Sequence, residues 1–152
     1  MAPKEIVRRT LMSLAPLMPS TDEEIWRYSR IAELDLAAYA HGHLRTETVG
    51  ADAVRFADSL AGIAMVTPPD VFAELNGENA DTVSLRIPKG VTLEEAIHIV
   101  HHVDADGIAA YPRLVIDAEE NSEVTVIETF VSADTIHSLV VPVLEEIGRA
   151  HV

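Results

Sequence analysis

The chain has 152 residues, the size of one domain, and at that length a core can form without a disulfide or a metal ion to hold it. Eleven Lys and Arg against 25 Asp and Glu leave a formal net charge of −14, which repels both a nucleic-acid backbone and an anionic membrane surface. Cysteine is absent, so disulfides, thiolate metal ligands and cysteine nucleophiles are all excluded, and 48% apolar with 24% charged residues is ordinary soluble-globular composition.

Lys4, Arg8 and Arg9 ahead of Leu11–Met18 imitate a secretory leader. Pro16 and Pro19 interrupt that stretch, Glu5 lies within its basic part and no small-x-small cleavage site follows, so a cytoplasmic protein is expected. No apolar run reaches the ~20 residues a spanning helix needs. Ser20-Thr21-Asp22-Glu23 has the pattern of a capping box, and the acidic residues at its start suit the positive end of a helix dipole. A helix is expected there, with Ile25, Trp26, Ile31 and Leu34 on its apolar side. Residues 37–64 show only weak periodicity and receive no assignment.

Pro68-Pro69-Asp70 marks a break, and a short helix is expected from Pro69 to Leu75, closed by Asn76-Gly77. Beyond Ala80 the period changes from helical to alternating. Val83–Ile87, Ile97–Val103, Leu114–Ala118, Val124–Val131 and Leu139–Leu144 read as strands, separated by Pro88-Lys89-Gly90, Asp104-Ala105-Asp106-Gly107, Asn121-Ser122 and Ala133-Asp134. The spacing suits an all-β sandwich, barrel or solenoid, and periodicity does not choose among them.

The densest group of potential metal ligands is His98, His101, His102 and Asp104. On a helix the three histidines would share a face. Their neighbours Ile97, Ile99, Val100 and Val103 are β-branched and favour a strand, where His98 and His102 share one face and His101 points the other way. A metal-dependent β-fold enzyme using His98 and His102 is therefore a minor alternative, and a satisfied or solvated imidazole the preferred reading. His41-Gly42-His43 reads as a solvated turn. Glu119 and Glu120, with Glu123 and Glu128 nearby, could supply a glycosidase acid pair in a carbohydrate-acting solenoid, but Glu119, Glu120 and Glu123 around Asn121-Ser122 also read as turn charge, and few aromatic residues are present to build a sugar platform. Glu128 lies between Ile127 and Thr129 in an apolar strand, so if it faces inward it needs a partner, and Arg113 is the expected one. No phosphate-cradling glycine loop, nucleophile elbow or helical zinc-protease motif occurs. The residues thus favour binding or scaffolding over catalysis. No catalytic, cofactor-binding or metal-ligating residue is assigned.

Three stretches together resemble the SufB/SufD family of iron–sulfur cluster assembly proteins. They are Glu23-Glu24-Ile25-Trp26-Arg27-Tyr28-Ser29 after Leu17-Met18-Pro19, then Asp70-Val71-Phe72-Ala73-Glu74-Leu75-Asn76, and the run from Leu85-Arg86-Ile87-Pro88-Lys89-Gly90-Val91 through Ile97-His98-Ile99, Tyr111–Ile116 and Asn121–Phe130. The Trp-Arg-Tyr element favours the SufD branch. The resemblance implies a mainly β fold with a helical N-terminal region: a right-handed parallel β-helix, a single-stranded solenoid of stacked short strands. It further implies a non-catalytic scaffold subunit that works with a SufB-like subunit and a SufC-like ATPase. No cofactor is expected in this chain, because the cluster is assembled by the complex and ATP is bound by the partner.

Members of that family continue with further coils that meet SufB and a helical segment that binds SufC, so the chain is expected to be an amino-terminal fragment, truncated before the partner-binding parts. The expected organisation is residues 1–65 as a helical region and linker, 66–145 as a short helix and first coils, and 146–152 as a non-native tail. Glu146–Val152 matches the in-frame translation of a widely used short-read sequencing adapter and is expected to break the strand pattern after Leu144.

Overall fold

The structure, a computed structural model, describes residues 18–50 and 70–148. The leader-like stretch up to Leu17, residues 51–64 of the unassigned region, Pro68-Pro69 and Arg149–Val152 lie outside the described residues. Within them, no helix is long and apolar enough to cross a membrane.

The helix expected after Ser20 is replaced by three short 3-10 turns, Glu24–Trp26, Ile31–Glu33 and Leu36–Ala38. Half of the capping box forms: Glu23 Oε1 accepts from the Ser20 amide at 3.0 Å. The Ser20 hydroxyl, however, accepts from Asp22 N at 3.0 Å and not from the Glu23 amide that a full capping box uses. Ser29 Oγ then donates to Trp26 O at 2.7 Å and Asp35 Oδ1 accepts from Ala37 N at 3.0 Å. Short polar side chains that bond the local backbone compete with helix propagation, and here they cut the segment into turns.

Helix α1, Val71–Asn79, is capped by Asp70, whose Oδ1 accepts from Ala73 N at 2.9 Å. It runs past the expected stop, taking in Asn76 and Gly77. Asn76 is fully buried and its Nδ2 donates to Pro112 O and Val141 O at 2.9 and 2.8 Å, so its place is set by tertiary contacts and not by a turn.

The rest of the described chain is mainly β. Nine strands follow in order: β1 Ala40–His41, β2 Arg45–Val49, β3 Asp81–Ile87, β4 Ile97–Val103, β5 Ile108–Ala110, β6 Pro112–Ala118, β7 Val126–Ser132, β8 Leu139–Val140 and β9 Val143–Gly148. They form three sheets with orders β1-β5-β8, β2-β4-β7 and β3-β6-β9, and none of these closes into a barrel. Every pairing is parallel except β2 with β4. The register repeats. Val83 opposes Leu114 and Leu114 opposes Leu144, intervals of 31 and 30 residues. Ile99 opposes Glu128 and Ala109 opposes Leu139, intervals of 29 and 30.

Six of these strands lie where the alternating pattern puts five, with β8 and β9 together covering the last expected one. Pro142 lacks an amide hydrogen to donate and separates them. The pattern does not stop at Leu144: β9 stays in register with β6 as far as Gly148 opposite Ala118. At that position φ is +141° and a Cβ would meet Ala118 O at 2.3 Å, which suits glycine alone. Strands β1, β2 and β5 have no periodic signature, being two to five residues long and, in β2, exposed throughout.

Two apolar clusters hold these layers. Leu85, Ile87, Ile97, Ile99, Leu114 and Ile116 interdigitate between the sheets of β3-β6 and β4-β7. Leu36, Val71, Leu75, Ala109, Tyr111 and Val141 seat α1 and the last 3-10 turn against β5 and the segment joining β8 to β9. Each fully buried aliphatic side chain contributes about 1.5–3 kcal/mol from area removed from water.

A buried histidine relay as the candidate functional site

Alternation along β4 decides which imidazoles face the interior. Ile97, Ile99, His101 and Val103 are buried, whereas His98 is exposed and Val100 and His102 are half-buried on the other face. His98 and His102 therefore share a face, as the β-branched neighbours imply, and four residues of strand hold them roughly 13 Å apart, too far for one metal ion. His102 Nε2 lies 3.5 Å from Glu47 Oε2, in an orientation that makes no hydrogen bond. Among the described residues no three His, Asp or Glu side chains gather closely enough to hold a metal.

His101 is only 2% exposed and is fully engaged. In the register it lies between Thr46 of β2 and Phe130 of β7. Its Nδ1 meets the Thr46 hydroxyl at 2.8 Å and its Nε2 meets Glu128 Oε1 at 3.0 Å, while its ring stacks on Phe130 with centroids 4.8 Å apart. A carboxylate only accepts, so Nε2 carries the proton. Nδ1 then accepts from the hydroxyl when the ring is neutral and donates to it when the ring is charged. Hydroxyl, imidazole and carboxylate are the groups that in other proteins activate a nucleophile. Here the imidazole is sealed beneath an edge strand, and the arrangement ties together three strands from positions 46, 101 and 128.

Glu128 does face inward and does have a partner, but that partner is not Arg113. Arg113 is 8% exposed on β6, and its Nη2 reaches Glu145 Oε2 on β9 at 2.6 Å. The expected pairing assumed that β6 and β7, consecutive along the chain, are neighbours. They belong to different sheets, so Arg113 meets the strand one register interval onward and Glu128 meets β4, one interval back.

The other candidates resolve into local pairs. His43 Nδ1 lies 2.8 Å from Asp81 Oδ2 at an exposed position, and His41 stands 5.0 Å from the His43 ring and 5.8 Å edge-on from Tyr111. Burial pushes the Tyr111 phenol above its ordinary pKa. Glu119 accepts from Lys89 N and pairs with Arg86, and Glu120 pairs with Lys89 Nζ at 2.5 Å. These turn carboxylates therefore tie the Asn121-Ser122 turn to Pro88-Lys89-Gly90. Thr46 escapes a sequence reading because its stretch has no periodicity. His101 carries one usable signal: it alternates with Ile97, Ile99 and Val103 on a strand face that is otherwise aliphatic.

Comparison with protein-family models, with curated proteins and with solved structures found no match.

Proposed function

We propose that the chain is a SufD-like scaffold subunit, without catalytic residues of its own, of a cytoplasmic iron–sulfur cluster assembly complex that also contains a SufB-like subunit and a SufC-like ATPase. The observation that carries the reading is the interval of about thirty residues that recurs in all three sheets, so that each turn of chain contributes one strand to each. That recurrence supports a right-handed parallel β-helix, the fold the sequence resemblance implies. The interior polar groups support a structural role: His101 with Glu128 and Arg113 with Glu145 bond strands of successive turns to each other. In this reading the chain's contribution is a rigid stacked surface, and ATP turnover and cluster chemistry belong to the partners.

Co-expression of the complete gene product with tagged SufB-like and SufC-like subunits tests it. Co-purification of all three in fixed ratio is the expected result. Failure to associate, or stoichiometric metal on the isolated chain that is lost in His102→Ala, would overturn it.

A further inference from the structure

His41 ends β1 and His43 follows two residues later, and their ring centroids are 5.0 Å apart with the planes tilted by 47°. The backbone that carries them is pinned. Ala40 N donates to Gly107 O at 2.9 Å and Gly42 N to Ala109 O at 3.0 Å, one bond on each side of His41. Glycine permits that close approach, because a Cβ at Gly42 would meet Ile108 Cβ at 2.7 Å. Each ring has a further contact: His41 stands edge-on to the buried Tyr111 with centroids 5.8 Å apart, and His43 Nδ1 lies 2.8 Å from Asp81 Oδ2. A carboxylate only accepts, so His43 Nδ1 carries the proton and the neutral ring presents its lone pair on Nε2. The His43 side chain is 70% exposed, and His41 is exposed beside it.

We infer that His41 and His43 chelate one divalent late first-row metal ion, copper, nickel or zinc, with Asp81 as the carboxylate that orients His43. An imidazole nitrogen binds such an ion at about 2.0–2.1 Å, which sets the ion roughly 3.2 Å from the ring centroid. Two centroids 5.0 Å apart then meet at a single ion with an angle of about 100°, close to tetrahedral. His98 and His102 are too widely spaced to do this. The contact from Asp81 to His43 is the carboxylate–histidine arrangement that fixes the tautomer and raises the basicity of a ligating imidazole. Imidazole donors suit these three metals, and the net charge of −14 draws cations to the surface. No third His, Asp or Glu among the described residues completes the set, so water fills the remaining positions and the ion exchanges readily. The inference does not rest on the cluster-assembly reading: that reading falls to metal lost in His102→Ala, this one to metal kept in His41→Ala.

Zinc, nickel and copper salts, each titrated into the untagged full chain by isothermal calorimetry, test it, with imidazole nitrogen-15 shifts recorded on the zinc mixture. One ion per chain is expected, copper binding more tightly than nickel or zinc, and zinc should shift His43 at Nε2. His41→Ala and His43→Ala should each weaken binding at least tenfold. Asp81→Asn should weaken it by about tenfold, the low end of what an orienting carboxylate contributes, while His98→Ala should leave it unchanged. All four positions are exposed, and an unchanged circular dichroism spectrum shows that the fold is kept. No saturable binding of any of the three ions, full affinity in His41→Ala or in Asp81→Asn, or zinc on Nδ1 of His43 would each overturn the inference.

Discussion

Replacing Glu128 with alanine tests the relay. His101 is 2% exposed, and the substitution leaves its Nε2–H without an acceptor in a site closed by Thr46 and the Phe130 ring. A buried donor stranded in this way costs about 1–3 kcal/mol, and the lower half of that range applies because the Glu128 side chain is 21% exposed and water can follow it in. A loss of about 1–2 kcal/mol lowers Tm by roughly 3–8 °C in a chain of this length. Thermal melts at pH 7 of Glu128→Ala, Glu128→Gln and Glu120→Ala measure it. The amide keeps an acceptor and should lose about half as much, while Glu120 makes only an exposed pair with Lys89, worth about 0–1 kcal/mol. Thr46→Val and Glu128→Ala bond opposite nitrogens of one ring, so their combination should deviate from additivity by at least about 0.5 kcal/mol. Arg113→Lys combined with Glu128→Ala should be additive, because the two side chains serve different sheets. A Glu128→Ala melt indistinguishable from that of Glu120→Ala, or strong coupling to Arg113, would refute the assignment.

Asn76→Ala strips Pro112 O and Val141 O of their shared donor and should cost about 2–4 kcal/mol by denaturant titration, with Asn76→Asp costing more because it sets a carboxylate against two carbonyl oxygens. Leu85→Ala, at a position with no exposure, should lose about 2–5 kcal/mol. Burial disfavours the Tyr111 phenolate, so the folded-state pKa is raised. The stability this contributes is fully present below the ordinary tyrosine pKa of about 10 and is lost as pH rises through the raised value. Chemical denaturation between pH 8 and 11 should therefore show a decline above about pH 10 that is shallower in Tyr111→Phe.

The parts of the fold legible in the sequence are those where burial alternates. In β4 every second residue is buried, and the expected strand has the observed limits. β6 was found despite Pro112, Arg113, Leu114, Val115 and Ile116 all being buried, because a β-branched run between turn signals carries the same message. β2 was missed because every residue in it is exposed, so Arg-Thr-Glu-Thr-Val records only what the strand meets on one side. The helix expected after Ser20 failed for a different reason. A capping box states that a helix can begin, whereas Ser29 and Asp35, which divide the segment, act through hydrogen bonds that no periodicity registers. The site shows the same division: the face of each histidine follows from period two, but the partner of Glu128 depends on which strands are neighbours.

That dependence explains why a polar interior is tolerated in this stack. In a sheet whose sequential strands pair, a buried acid and a buried base can be matched within one hairpin. Here consecutive strands fall in different sheets, so the buried ionisable side chains His101 and Arg113 meet carboxylates one turn of chain onward, Glu128 and Glu145. Such a match forms only when successive turns are stacked in the correct register, since a slip of one residue turns each side chain to the opposite face. Aliphatic positions such as Leu85, Leu114 and Ile116 would accept several registers at similar cost, whereas a displaced Arg113 would leave an uncompensated buried charge worth several kcal/mol. The ion-paired positions therefore select one register from those the apolar column allows.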